Sequence, residues 1–126
     1  MAMQIEPHRK KILIVDQDEF LVRIYASRLE NAGYDPYFTT DVDQLRGLLA
    51  GEQLALALIE PMTSGGNRFD LIADIKKNDE IPVIVLTKLS RPEEIEQATR
   101  AGADFYMLKT QVSFKEVIDK IRELVG

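Results

Sequence analysis

The sequence predicts an α/β domain: a parallel sheet of five strands in the order 2-1-3-4-5, doubly wound, with helices on both faces. Three observations carry this. Short apolar runs alternate five times with segments whose apolar residues recur at helical spacing, the pattern of a parallel sheet joined by helical crossovers. Runs such as Ile12-Leu13-Ile14-Val15 show no polar alternation, as strands covered on both faces require. The second run, Tyr34–Thr39 (YDPYFT), contains Pro36, which cannot donate to a ladder and puts that strand at an edge. The order 2-1-3-4-5 meets this restriction and sets a topological switch point between strands 1 and 3.

A chain of 126 residues, 45% apolar and 29% charged, suits one globular domain with one good core. Cysteine is absent, which excludes disulfides and thiolate metal sites and agrees with a cytoplasmic home. No apolar run approaches the roughly 18–20 residues of a membrane span, and the opening MAMQIEPHRK lacks a signal-peptide core. Residues 1–9 read as a flexible arm with a solvated His8, and residues 10–126 as the domain. The net charge of −5, from 16 basic and 21 acidic residues, argues against direct nucleic-acid binding.

The first strand, in KILIV, stops on Asp16, Gln17, Asp18 and Glu19. A helix follows over Glu19–Ala32, with Leu21, Ile24, Tyr25, Leu29 and Ala32 on one face, Asp18 as N-cap and Gly33 as the stop. Beyond strand 2, Thr40–Asp43 resembles a helix start, and Val42, Leu45, Leu48 and Leu49 give a buried face up to Gly51. Leu54–Glu60 (LALALIE) is strand 3, and Pro61–Gly66 is a loop. Asn67 is expected to cap a third helix that buries Leu71, Ile72 and Ile75. Ile81–Thr87 (IPVIVLT) is strand 4. Ser90 and Glu93 form a capping-box pattern around Pro92, opening a helix that runs to Gly102. Asp104–Lys109 (DFYMLK) is strand 5. A second capping-box pattern, Ser113 and Glu116, opens a last helix that buries Phe114, Val117, Ile118, Ile121, Leu124 and Val125.

In this topology Asp16, Gln17 and Glu60 meet at the switch point, with Thr87 and Lys109 arriving from strands 4 and 5. Carboxylates, a hydroxyl and a lysine in one crevice suit a divalent cation and a phosphoryl group. A flavin-phosphate site is disfavoured, because Asp16, Asp18 and Glu19 would repel a phosphate at the first helix.

From Lys10 onward the chain resembles the receiver domains of two-component response regulators, the CheY-like family, whose fold is flavodoxin-like. VLT places Thr87 at the family's hydroxyl position, FYMLK places Tyr106 at the aromatic switch and Lys109 at the lysine, and AGAD, Ala101–Asp104, matches the family's lead into strand 5. The resemblance implies a metal site at Asp16, Gln17 and Glu60, with Glu60 at the phospho-acceptor position. It also implies a histidine kinase or downstream effector as partner, and docking or homodimerisation through helix 4, strand 5 and helix 5. Arg91, Ile95, Arg100, Tyr106 and Lys115 are the candidates on that face, and Phe20 at the start of helix 1 is a second docking candidate.

The departures fall in the site. Gln17 stands for the second acid of the metal pair, Glu60 for the acceptor aspartate, Lys88 for a small residue and Thr110 for a proline. Loop residues Ser64 and Asn67-Arg68 also depart from the usual pattern. An amide lacks the Coulomb attraction of a carboxylate for magnesium. Glu60 reaches roughly 1–1.5 Å farther than aspartate, and a displacement of about 1 Å can cost around 10²-fold in a transfer step. The expectation is therefore a degenerate receiver: no enzyme, no cofactor or weakly bound magnesium, and a protein-interaction role without phosphorylation. The alternative is a working receiver that accepts a phosphoryl group with magnesium. Glu60 either imitates the phosphorylated state or marks a decayed site, and a contact between Glu60 and Lys109 is expected. No effector domain is evident, which leaves a stand-alone adaptor or a fragment.

Overall fold

The computed structural model describes residues 9–50, 53–78 and 80–126. Most of the expected N-terminal arm, His8 and Gly51 lie outside the described residues. Five strands, β1 (Lys11–Val15), β2 (Asp35–Thr39), β3 (Leu56–Ile59), β4 (Val83–Thr87) and β5 (Phe105–Leu108), alternate with α1 (Glu19–Asn31), α2 (Leu45–Leu49), α3 (Asp70–Asn78), α4 (Pro92–Ala101) and α5 (Phe114–Val125). The sheet order is β2-β1-β3-β4-β5 and every pairing is parallel. Pro36 lies on the edge strand, opposite Ile12.

Successive residues of the inner strands serve opposite faces. Leu13, Val15, Ala57, Ile59, Val83 and Val85 pack with Leu45, Leu71, Ile72, Ile75 and Ala98 of α2, α3 and α4. Ile12, Ile14, Leu56, Leu58, Ile84 and Leu86 pack with Val22, Tyr25, Leu29, Val117 and Ile121 of α1 and α5. Both faces of each inner strand are dry, which is why their sequences show no alternation.

Local signals account for several boundaries. Asp18 caps α1 by accepting from the Leu21 N–H at 3.2 Å, and Gly33 follows its C-cap at φ +98°. At α5, Ser113 Oγ accepts from the Glu116 N–H while the Glu116 carboxylate accepts from the Ser113 N–H, both at 3.1 Å. The start of the second helix is a 3₁₀ turn over Val42–Gln44, capped by Asp41.

Three expectations are corrected. The capping box before α4 sits one residue later than Ser90 and Glu93: the Glu94 carboxylate accepts from the Arg91 N–H at 3.0 Å, with Pro92 first in the helix. A proline needs no hydrogen bond at that position, so the helix starts on it. Asn67 does not cap α3, which begins at Asp70; its amide reaches Glu94 Oε2 at 3.4 Å. The loop after β3 contains a small antiparallel hairpin, Met62–Thr63 against Gly66–Asn67, closed by Thr63 Oγ1 donating to Gly66 O.

Candidate functional site

The carboxyl ends of β1, β3 and β5 deliver Asp16, Glu60 and Lys109 to one crevice, whereas Thr87, expected there at the end of β4, is fully buried and does not line it. β1 and β3 are neighbours because the chain reverses its winding there, so residues 44 apart in sequence face each other. Asp16 and Glu60 are only 6% and 4% exposed. Lys109 Nζ lies between them, donating to Asp16 Oδ2 at 2.8 Å and to Glu60 Oε1 at 3.1 Å. The contact expected between Glu60 and Lys109 is thus direct, and Asp16 is a second and shorter partner. The other carboxylate oxygens are also bound: Asp16 Oδ1 accepts from the Asp18 N–H at 2.9 Å and Glu60 Oε2 from the Met62 N–H at 3.2 Å.

Burial works against the charge of Lys109. The hydrogen bond and charge of Asp16, together with Glu60, outweigh that penalty and hold the ammonium above its ordinary pKa. The group carries two negative charges against one positive. It is deeper than a half-exposed surface pair, with side-chain exposures of 16% for Lys109, 8% for Asp16 and 3% for Glu60.

Gln17 is exposed, and its Oε1 accepts from the Ser64 N–H at 2.7 Å, tying the end of β1 to the hairpin loop. Thr87 is fully buried, and its Oγ1 accepts from the Leu89 N–H at 3.2 Å while its carbonyl accepts from the Lys109 N–H at 2.8 Å. Tyr106 is partly buried and its hydroxyl donates to Leu89 O at 2.6 Å. Burial, and then the charges of Glu94 and Glu60, push its pKa up to about 12.

The docking candidates divide. Phe20 is 74% exposed, because Leu21 and Val22 beside it turn inward on α1. Ile95 is 37% exposed, and Arg91 is exposed at the start of α4. Arg100 pairs with Glu96 and Lys115 with Asp119 along their own helices, while Tyr106 is turned partly inward by its bond to Leu89.

A sheet in this order, with an acid–acid–lysine crevice at its switch point, defines a class. Residues 12–122 match the family described as Response regulator receiver domain, and the chain belongs to it. It is 29% identical over 121 residues to "Probable transcriptional regulator ycf27" of Cyanophora paradoxa, covering 96% of this chain and 50% of that one. It is 31% identical over 113 residues to "Heme response regulator HssR" of Staphylococcus aureus, covering 90% of this chain and 50% of the relative. The chain thus spans about half the length of these curated relatives. Among solved structures, a CheY-like receiver domain protein of Methanospirillum hungatei superposes with a TM-score of 0.85 at 26% identity, over 92% of this chain and 93% of that one.

Sequence reasoning missed Leu89, which meets both Thr87 and Tyr106, and the backbone N–H groups of Asp18, Met62 and Ser64. Backbone donors carry no residue signature. It also missed Tyr25, whose helical spacing marked it only as core, although it lines the same cavity as Asp16, Glu60 and Lys109.

Proposed function

We propose that this receiver domain works as a protein-interaction module whose crevice is held by the internal ion triad, without an aspartyl phosphorylation cycle and without enzymatic activity of its own. The observation that carries the reading is the counter-charge the chain itself supplies: Lys109 bridges Asp16 and Glu60, and each of their carboxylate oxygens accepts one N–H hydrogen bond. Lys109 occupies the space between the two acids. Magnesium demands near-octahedral oxygen ligation, yet the oxygen of Gln17 is turned to the Ser64 N–H and supplies no charge. The arrangement does not fit a magnesium ion unless Lys109 withdraws.

The partner in this reading is a histidine kinase or an output protein, attached or separate, docking on Phe20 or on the face of α4, β5 and α5. That relatives are named as transcriptional and heme response regulators supports an output of this general kind. Glu60 then acts as a constant negative charge that keeps Lys109 in place.

The test is treatment with acetyl phosphate and magnesium, read by intact mass. The expected result is no phosphoryl adduct on the parent and none that depends on Glu60. A magnesium-dependent adduct on the parent that Glu60→Gln abolishes would instead establish a working receiver. In parallel, Glu60→Gln is expected to leave the fold intact and weaken partner binding; unchanged binding would favour a decayed site over an imitation of the phosphorylated state.

A further inference from the structure

We propose that the cleft at the amino rim of the sheet, opposite the crevice, binds an acidic protein segment whose carboxylates are separated by apolar side chains. The inference does not rest on the state of Glu60, which lies at the other rim.

The cleft measures about 650 Å³. Its floor lies where strands begin: Leu54 and Ala55 lead into β3, and Pro82 leads into β4. Leu124 and Val125, at the end of α5, close one side. All but Leu54 are partly exposed, so the floor offers apolar surface to a partner.

Arg9, Lys10, Lys11 and Gln53 supply the polar side chains, and no carboxylate lines the cleft among the described residues. The crevice differs, since acids line it beside its lysines. The whole chain carries −5, so the positive sign of the cleft is local. Lys10 Nζ donates to Val125 O, and Arg9 donates to Glu30 O at 3.1 Å. These carbonyls are neutral acceptors. They position the cations without cancelling their charge, and an ammonium or guanidinium bound once keeps further donors. Neither Arg9 nor Lys10 has a carboxylate partner among the described residues. Such a pair beside an apolar floor is complementary to an anionic partner.

The spread of the cations decides the kind of anion. Arg9 is drawn to the end of α1, Lys10 to the end of α5, and Lys11 lies over the Tyr37 ring of β2 at 5.5 Å. They diverge, whereas a phosphate or a single carboxylate needs donors that converge on one point. A strip of separated cations beside an apolar floor matches acids spaced along a peptide, with apolar side chains between them.

The experiment is a fluorescence-anisotropy titration on the full chain. The probe is a dye-labelled peptide of repeating Glu-Glu-Leu, and the control is the same repeat with Gln for Glu. The expected result is saturable binding of the acidic peptide, about tenfold tighter than the control and weakened by added salt. Gln53→Lys, an exposed change inside the cleft, is expected to tighten it about threefold, the scale of one exposed ion pair, and Gln53→Glu to weaken it by a similar factor. Neither change touches the bond from Lys10 to the end of α5, so the fold is kept. Amide shifts on binding should cluster at residues 9–11, 53–55 and 123–126. Equal affinity for the two peptides, indifference to both Gln53 changes, or shifts centred on Arg91 and Lys115 would overturn the proposal. So would displacement of the peptide by pyrophosphate at a comparable concentration, which marks a compact anion site. The phosphodonor experiment succeeds or fails independently, since it reads Glu60 alone.

Discussion

Each rim of the parallel sheet has a lysine held by carboxylate, and the two clusters differ in charge and depth. At the amino rim, Lys76 donates to Asp104 Oδ2 at 2.6 Å and to Ile81 O at 2.8 Å, and the same carboxylate oxygen accepts from the Val83 N–H at 2.8 Å. One acid meets one base, with side chains 25% and 39% exposed. At the carboxyl rim, Lys109 serves two acids that are nearly sealed from solvent. The amino-rim cluster is a clasp for the starts of β4 and β5. It explains the lead into β5: Asp104 supplies the carboxylate, and Gly102, at φ +114°, lets the chain pass where a Cβ would meet Lys76 Cγ at 2.9 Å. The carboxyl-rim cluster also fastens backbone, through the Asp18 and Met62 N–H groups, but it does so with one negative charge in excess.

The largest expected effect breaks the deeper cluster. Lys109→Met leaves Asp16 and Glu60 buried together without a counter-charge, and is expected to lower stability by about 3 kcal/mol, measured by urea unfolding. Lys76→Met exposes its partner to water instead of stranding it, and is expected to cost about 1 kcal/mol in the same assay. Equal losses would erase the distinction between the rims. The smallest effect is a slope with pH. Lys109, Tyr25 and Tyr106 all have folded pKa values above their ordinary ones. The folded chain therefore holds more protons than the unfolded chain at alkaline pH, so the stability these groups contribute is complete below pH about 10 and is lost as pH rises toward 12. Unfolding monitored over that window should show stability falling, and Lys109→Met should fall less steeply than the parent.

The sheet was legible because its rules act on residue type and order: Pro36 excludes the centre, and runs without alternation require two covered faces. The crevice was legible in outline because topology alone brings the ends of β1, β3, β4 and β5 together. What escaped has no such signature. The hairpin at Met62–Asn67 uses strands of two residues, too short for any period. The α4 cap moved from Ser90 to Arg91 because the helix begins at proline, whichever neighbour has the better capping side chain. The second partner of Lys109 was overlooked because the sequence reading assigned Asp16 to a metal, whereas a lysine reaching across from β5 supplies its positive charge.

Leu89 is gripped at both poles of its backbone. Thr87 holds its N–H from β4, and Tyr106 holds its carbonyl from β5. A residue fastened this way gives the connection to α4 a single shared pin. Full release of the turn needs both strands to let go, and loss of either bond alone is expected to loosen the start of α4 in part. Amide exchange at Leu89 measures the sharing directly: Tyr106→Phe removes one grip and is expected to speed exchange at an amide that Tyr106 itself never touches.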